Sequence, residues 1–141
     1  MCVLHVTSLI GSFNDFLNKS NLPVYQRHEK GQKHDVRKGF VYDDYGFSCD
    51  ISDKPWTDVE GQLKDIADFI EKFTNELMIL KQDYKISDWQ FDVPYECRLS
   101  DTVFCQSDFI SPRVMKLCSQ FDIGIVLSQY WGENEEIDSE I

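Results

Sequence analysis

Three histidines, five cysteines and an adjacent aspartate pair are the residues of this chain that could form a catalytic or metal site. His28 and His34 stand six apart around a polar turn, and they hold a metal only if two further ligands arrive from elsewhere, since structural zinc takes four. Asp43 and Asp44 lie just before Tyr45-Gly46, where such carboxylates are turn formers first and an acid/base pair second. Cys2, Cys49, Cys97, Cys105 and Cys118 are odd in number and scattered, the pattern of free thiols in a reducing compartment. Cys97 and Cys105 meet only if the chain between them forms a hairpin, and no cysteine has the electropositive helix-start setting that activates a thiolate. The sequence has no glycine-rich phosphate loop. These residues together predict a protein that is not an enzyme and requires no metal or cofactor.

Charge is the stronger signal. Twenty-five acidic against fourteen basic residues give a net charge of −11, which repels nucleic acid and anionic membranes and suits a basic partner, while also serving solubility. The acids crowd between positions 43 and 71, and Asp43, Asp44, Asp50, Asp53, Asp58, Asp65 and Asp68 form the candidate partner-binding surface. Residues 27–38 run the other way, with Arg27, Lys30, Lys33, Arg37 and Lys38 against Glu29 and Asp35. This basic hairpin supports an alternative reading, an anion- or small-molecule-binding module or enzyme. Residues 132–141 carry Glu133, Glu135, Glu136, Asp138 and Glu140 without a base, so a disordered acidic tail is expected after a single domain over 1–131.

The elements that position these residues follow from periodicity. Val59, Leu63, Ile66, Ile70, Phe73, Leu77 and Leu80 make one unbroken stripe, which predicts a single core helix over 57–80. Thr57 and Glu60 read as its capping box, and Trp56 as an anchor just before it. Residues 2–10 predict a first strand. A brief helix capped by Ser12 follows, with Phe13, Phe16 and Leu17 on one face. Strands are expected at 24–28, 39–42 and 47–51, the last with apolar residues at alternate positions. Trp89, Phe91, Val93, Tyr95, Cys97 and Leu99 alternate with polar residues, predicting a long strand whose Pro94 marks an unpaired side, a bulge or a sheet edge. An antiparallel return is expected at 103–106. Ser111-Pro112 starts a helix carrying Val114, Leu117, Cys118 and Phe121, and a last strand spans 123–130. The fold class is α+β: a mainly antiparallel sheet of five or six strands with two or three helices on one face, in the order β-α-β-β-α-β-β-α-β.

The composition, 42% apolar and 13% aromatic, excludes wholesale disorder, and no apolar run approaches the roughly 18 to 20 residues of a membrane span. Met1-Cys2-Val3-Leu4-His5-Val6 lacks a basic n-region, so a cytoplasmic protein is expected.

Three stretches carry a family resemblance. They are Glu29-Lys30-Gly31-Gln32-Lys33 between two early strands, Gly46-Phe47-Ser48-Cys49-Asp50-Ile51 before a tryptophan loop and long helix, and Gln106-Ser107-Asp108-Phe109-Ile110-Ser111-Pro112 leading to Ser128-Gln129-Tyr130. Over residues 24–130 the chain resembles a bacterial domain-of-unknown-function family with a Lys-Gly turn, a Gly-aromatic-Ser strand and a final helix followed by a Ser-x-Tyr strand. Members are often encoded beside polymorphic or contact-dependent toxins. The resemblance implies an immunity protein, a monomer or weak dimer, that binds and neutralises a cognate toxin domain. The acidic balance makes a basic nuclease the expected toxin.

Overall fold

Alternation in the first strand sets the sheet. In β1 (Cys2–Ser8), Cys2, Leu4 and Val6 are buried on one side while His5 and Thr7 stay partly exposed on the other. A computed structural model, describing residues 1–131, places β1 at the centre of a five-stranded sheet in the order β2-β3-β1-β4-β5. The strands β2 (Val24–His28), β3 (Tyr45–Ser52) and β4 (Asp88–Pro94) join it through antiparallel pairings. The last strand, β5 (Gly124–Ser128), runs parallel to β4. Register aligns Leu4 with Cys49 and Phe91, and Val6 with Phe47 and Trp89, so six buried side chains line one face.

The helices cover that face. Phe13, at the start of the single-turn α1 (Asn14–Leu17), meets Phe47 edge-on at 5.1 Å and stacks on Tyr84 at 5.7 Å. From α2 (Val59–Lys72), Phe69 meets Phe91 edge-on at 6.1 Å. The helix α4 (Pro112–Gln120) packs beside α2 and buries Val114 and Cys118; as its sequence predicts, Ser111 Oγ caps it, accepting from Val114 N.

The predicted α+β class is the one observed, and its departures have local causes. The expected long helix is broken: α2 ends at Lys72, and α3 (Thr74–Asp83) follows Phe73, whose φ of −110° and ψ of 27° leave helical geometry. Thr74 Oγ1 donates to the Ile70 carbonyl at 2.7 Å, competing for the acceptor that the helix would use. The stripe survives the break, with Leu77 and Leu80 fully buried. The cap is Asp58 rather than Thr57, its Oδ1 accepting from Gly61 N at 2.9 Å. A Cβ on Gly61 would sit 2.2 Å from Asp58 Oδ2, so the cap needs glycine there. Asp58→Ala is therefore expected to cost about 1 kcal/mol and Thr57→Ala close to nothing, measurable as urea midpoints. Equal losses would restore the threonine box.

The predicted 89–99 strand stops at Pro94. The last β1 partner on β4 is Asp92; beyond it Val93 and Pro94 pair only with β5, at Leu127 and Ser128, and Tyr95 N, bonded to the Ser128 carbonyl, ends the pairing. β4 is thus interior, between β1 and β5, and the sheet edges are β2 and β5. No return strand forms at 103–106. The Gln106 amide does the work of a ladder there, its Oε1 accepting from Arg98 N at 2.6 Å and its Nε2 donating to the Glu96 carbonyl at 3.0 Å. The strand expected at 39–42 is a single bridge between Lys33 and Val41. Trp56 is half-buried and packs on Tyr130 at 5.7 Å. The predicted disordered tail, 132–141, lies outside the described residues.

Candidate functional site

With every helix on one side, the other face of the sheet is open. Register assigns to it Val3, His5 and Thr7 of β1, Ser48 and Asp50 of β3, Asp88, Gln90 and Asp92 of β4, and Val126 and Ser128 of β5. Lysine and arginine are absent from this set, and three of its members are aspartates. Asp50 and Asp88 are exposed, and among the described residues neither has an ion-pair partner. Asp92 is only 8% exposed, its oxygens accepting from the hydroxyls of Ser128 and Tyr130.

Two tyrosines frame the centre of this face. The β2–β3 pairing skips one residue between Val24 and Gln26, and this bulge aims the extra residue, Tyr25, across Ser48. Burial pushes the Tyr25 phenol up; a hydrogen bond with Ser48 opposes the shift and the Asp50 and Asp92 charges add to it. Tyr130 is likewise raised, by burial first and then by Asp92. Val3, which register sets between Asp50 and Asp92, is 6% exposed although no helix covers it. Ser48 also bonds His5 Nδ1 at 2.8 Å. That pair resembles a nucleophile and base, but Ser48 is buried and the His5 ring has no carboxylate orienting it among the described residues.

The seven sequence-predicted acids do not share one surface. Asp43 and Asp44 precede β3 and Asp50 and Asp53 lie at its far end, separated by a strand whose rise of roughly 3.3 Å per residue puts them on the order of 20 Å apart. Asp44 is committed to His28 Nε2 at 2.7 Å, and Asp58 to its cap. Asp65 accepts from Ser52 Oγ at 2.6 Å, with Lys54 at 3.7 Å. Asp68 is held by Arg113 at 2.8 Å and Lys64 at 3.1 Å, and those hydrogen bonds, Arg113 first, keep its carboxyl below the usual range. Asp50, Asp65 and Asp68 do share a cleft of about 410 Å³ between β3 and α2. Asp88 and Asp92 escaped the sequence reading: the alternation over 89–99 marks 92 as a wet position, but nothing local says that Asp50 lies two strands away.

The basic hairpin is built on stacking. Tyr42 lies against His28 at 3.8 Å and His34 at 4.9 Å, and His34 Nδ1 accepts from Val36 N and Arg37 N. No group of three metal-ligating side chains occurs among the described residues. Arg27, Lys30, Lys33, Arg37 and Lys38 are all exposed. The 95–110 loop, tied to the start of α2 by Glu96 N and Arg98 Nη1 donating to the Trp56 and Thr57 carbonyls, exposes Leu99, Val103, Phe104 and Phe109, with Phe104 89% exposed. A cleft of about 430 Å³ runs between this loop and β5, lined by Val59, Tyr95, Leu99, Asp108 and Leu127.

The thiols divide by burial. Cys97 and Cys105 are exposed, while burial pushes Cys2 and Cys49 up to about 12 and Cys118 to about 11. Ellman's reagent should label two thiols at once and three only on unfolding. The folded thiols keep their protons to higher pH than unfolded ones, so their contribution to stability is whole below about 9 and falls as pH rises toward 12. A urea midpoint that does not fall above pH 9 would contradict this.

Comparison with protein-family models, with curated proteins and with solved structures gave no match to the chain.

Proposed function

We propose that this protein is a binding protein without chemistry of its own, which covers and neutralises a basic partner domain as an immunity protein covers its cognate toxin, a nuclease being the fitting partner. The observation that carries this is the open sheet face, whose strand residues include three aspartates and no lysine or arginine among the described residues, with Tyr25 and Tyr130 beside them; the 95–110 loop that follows β4 adds exposed apolar side chains. On the helical side, by contrast, Asp65, Asp68, Glu71 and Asp122 all have lysine or arginine partners. An apolar centre with a charged rim is the anatomy of a specific interface, in which the aromatics supply affinity and the rim charges steer encounter. Exposed apolar groups of this size mark contact surfaces in soluble proteins. Of the acids expected from sequence, Asp50 belongs to this face, joined by Asp88 and Asp92.

The reading places the protein in the cytoplasm beside its target. Co-expression with the product of a neighbouring toxin gene tests it. Growth should be restored, and a complex should persist through gel filtration. A toxin that kills unchanged in the presence of folded protein would reject the reading.

A further inference from the structure

We infer that the open face carries a receptor site for one arginine side chain, with Asp92 as the acid that grips it and Tyr25 and Tyr130 as its walls. It rests on the proposed basic partner only for its biological use, since the site itself can be measured without one.

The first reason is an uncompensated charge. A carboxylate that is 8% exposed is costly unless it is paired, and the groups that bond Asp92 among the described residues are neutral hydroxyls. None of the ion pairs formed by those residues includes it, and residues 132–141 contain no lysine or arginine to supply one. Breaking a buried pair by omitting its cation is the expensive arrangement, so a cation from outside fits the charge.

The second reason is the form of what is missing. Ser128 donates to Oδ1 and Tyr130 to Oδ2, so each oxygen has spent one acceptor position and retains another. Two adjacent acceptors match the fork of a guanidinium, which bonds carboxylates bidentately; an ammonium is a point charge and gains nothing from the pairing. The surroundings suit the rest of an arginine. Tyr25, whose phenol feels the Asp50 and Asp92 charges, and Tyr130, whose hydroxyl bonds Asp92 and whose ring meets Trp56, are the aromatic groups at hand for a planar cation, and Val3 and Val126, which flank Asp92 on the neighbouring strands, are apolar ground for its methylene stem. Asp50, paired with Val3 from the other side, adds a second negative charge within reach of Tyr25.

The test is an amide NMR titration of the full chain with N-acetyl-arginine methylamide, its lysine counterpart and the neutral citrulline isostere. Saturable millimolar shifts are expected for arginine at Val3, Tyr25, Asp92, Val126 and Tyr130, at least threefold weaker binding for lysine, and none for citrulline. Asp92→Asn, which keeps the shape and removes the charge, should weaken arginine binding at least tenfold. Should that variant fold poorly, Tyr25→Leu removes an exposed wall and should weaken binding about threefold. Shifts that scatter over all surface acids, equal affinity for lysine, or wild-type affinity in either variant overturns the site. Failure here leaves toxin protection in co-expressing cells untouched, and failure of protection leaves the titration untouched, so the two ideas fall separately.

Discussion

Phe91→Ala is expected to cost the fold about 3–5 kcal/mol, most of the margin that a domain of this size usually has. Phe91 is fully buried on β4, paired with Leu4 on one side and Ile125 on the other, and its ring is met edge-on by Phe69 of α2. Strand pairing on both flanks fixes the backbone, so the hole left by the ring cannot close by a small shift, and the cavity adds to the lost burial. The change should lower the urea midpoint steeply with little change in slope, whereas Phe91→Leu, which leaves a smaller hole, should recover more than half of the loss. A midpoint within the range of ordinary surface variants would mean that β4 does not lie at the centre of the sheet.

Reversing Asp50 and Asp88 to lysine is expected to slow association with the partner on the order of 10- to 100-fold at low salt, with the difference shrinking as salt screens the surface. Both carboxylates are exposed and without ion-pair partners among the described residues, so the double variant should lose no more than about 1 kcal/mol of stability. The same reversal at Asp68 would be a poor control, because it breaks the contacts with Arg113 and Lys64 and so disturbs how α2 meets α4. Stopped-flow association at two ionic strengths separates the outcomes. Equal rates and salt slopes for wild type and variant would remove the open face from the interface and leave the apolar 95–110 loop as the contact surface.

The sequence revealed elements wherever burial alone decides them. The stripe from Val59 to Leu80, the aliphatic run of β1 and the helix that Ser111-Pro112 starts all record which side chains leave water, and each appears in the structure with those side chains buried or, as at Phe73 and Leu117, partly so. It misled where a polar side chain competes with the backbone. The Thr74 hydroxyl divides the long helix, Asp58 takes the cap from Thr57, and the Gln106 amide replaces a strand ladder, all through hydrogen bonds that periodicity does not register. The candidate surface was less legible still. Asp44, Asp58 and Asp68 look alike in a charge count, yet each turns out to hold a particular partner. The open face brings Asp50 of β3 and Asp92 of β4 to either side of Val3, positions 42 residues apart in the chain, and only the strand order could place them there.

That strand order has a consequence for how the molecule comes into being. β1 is synthesised before both of its neighbours, β3 and β4, so one of its edges stays unpaired until residue 52 has been made and the other until residue 94. At roughly 5–20 residues per second, the segment Cys2–Ser8 waits on the order of five to twenty seconds with at least one row of its backbone groups open to other chains. Only α1, β2 and β3 are complete early enough to shelter it. Conditions that slow translation through residues 52–94 should therefore raise the aggregated fraction, although the finished fold is unchanged.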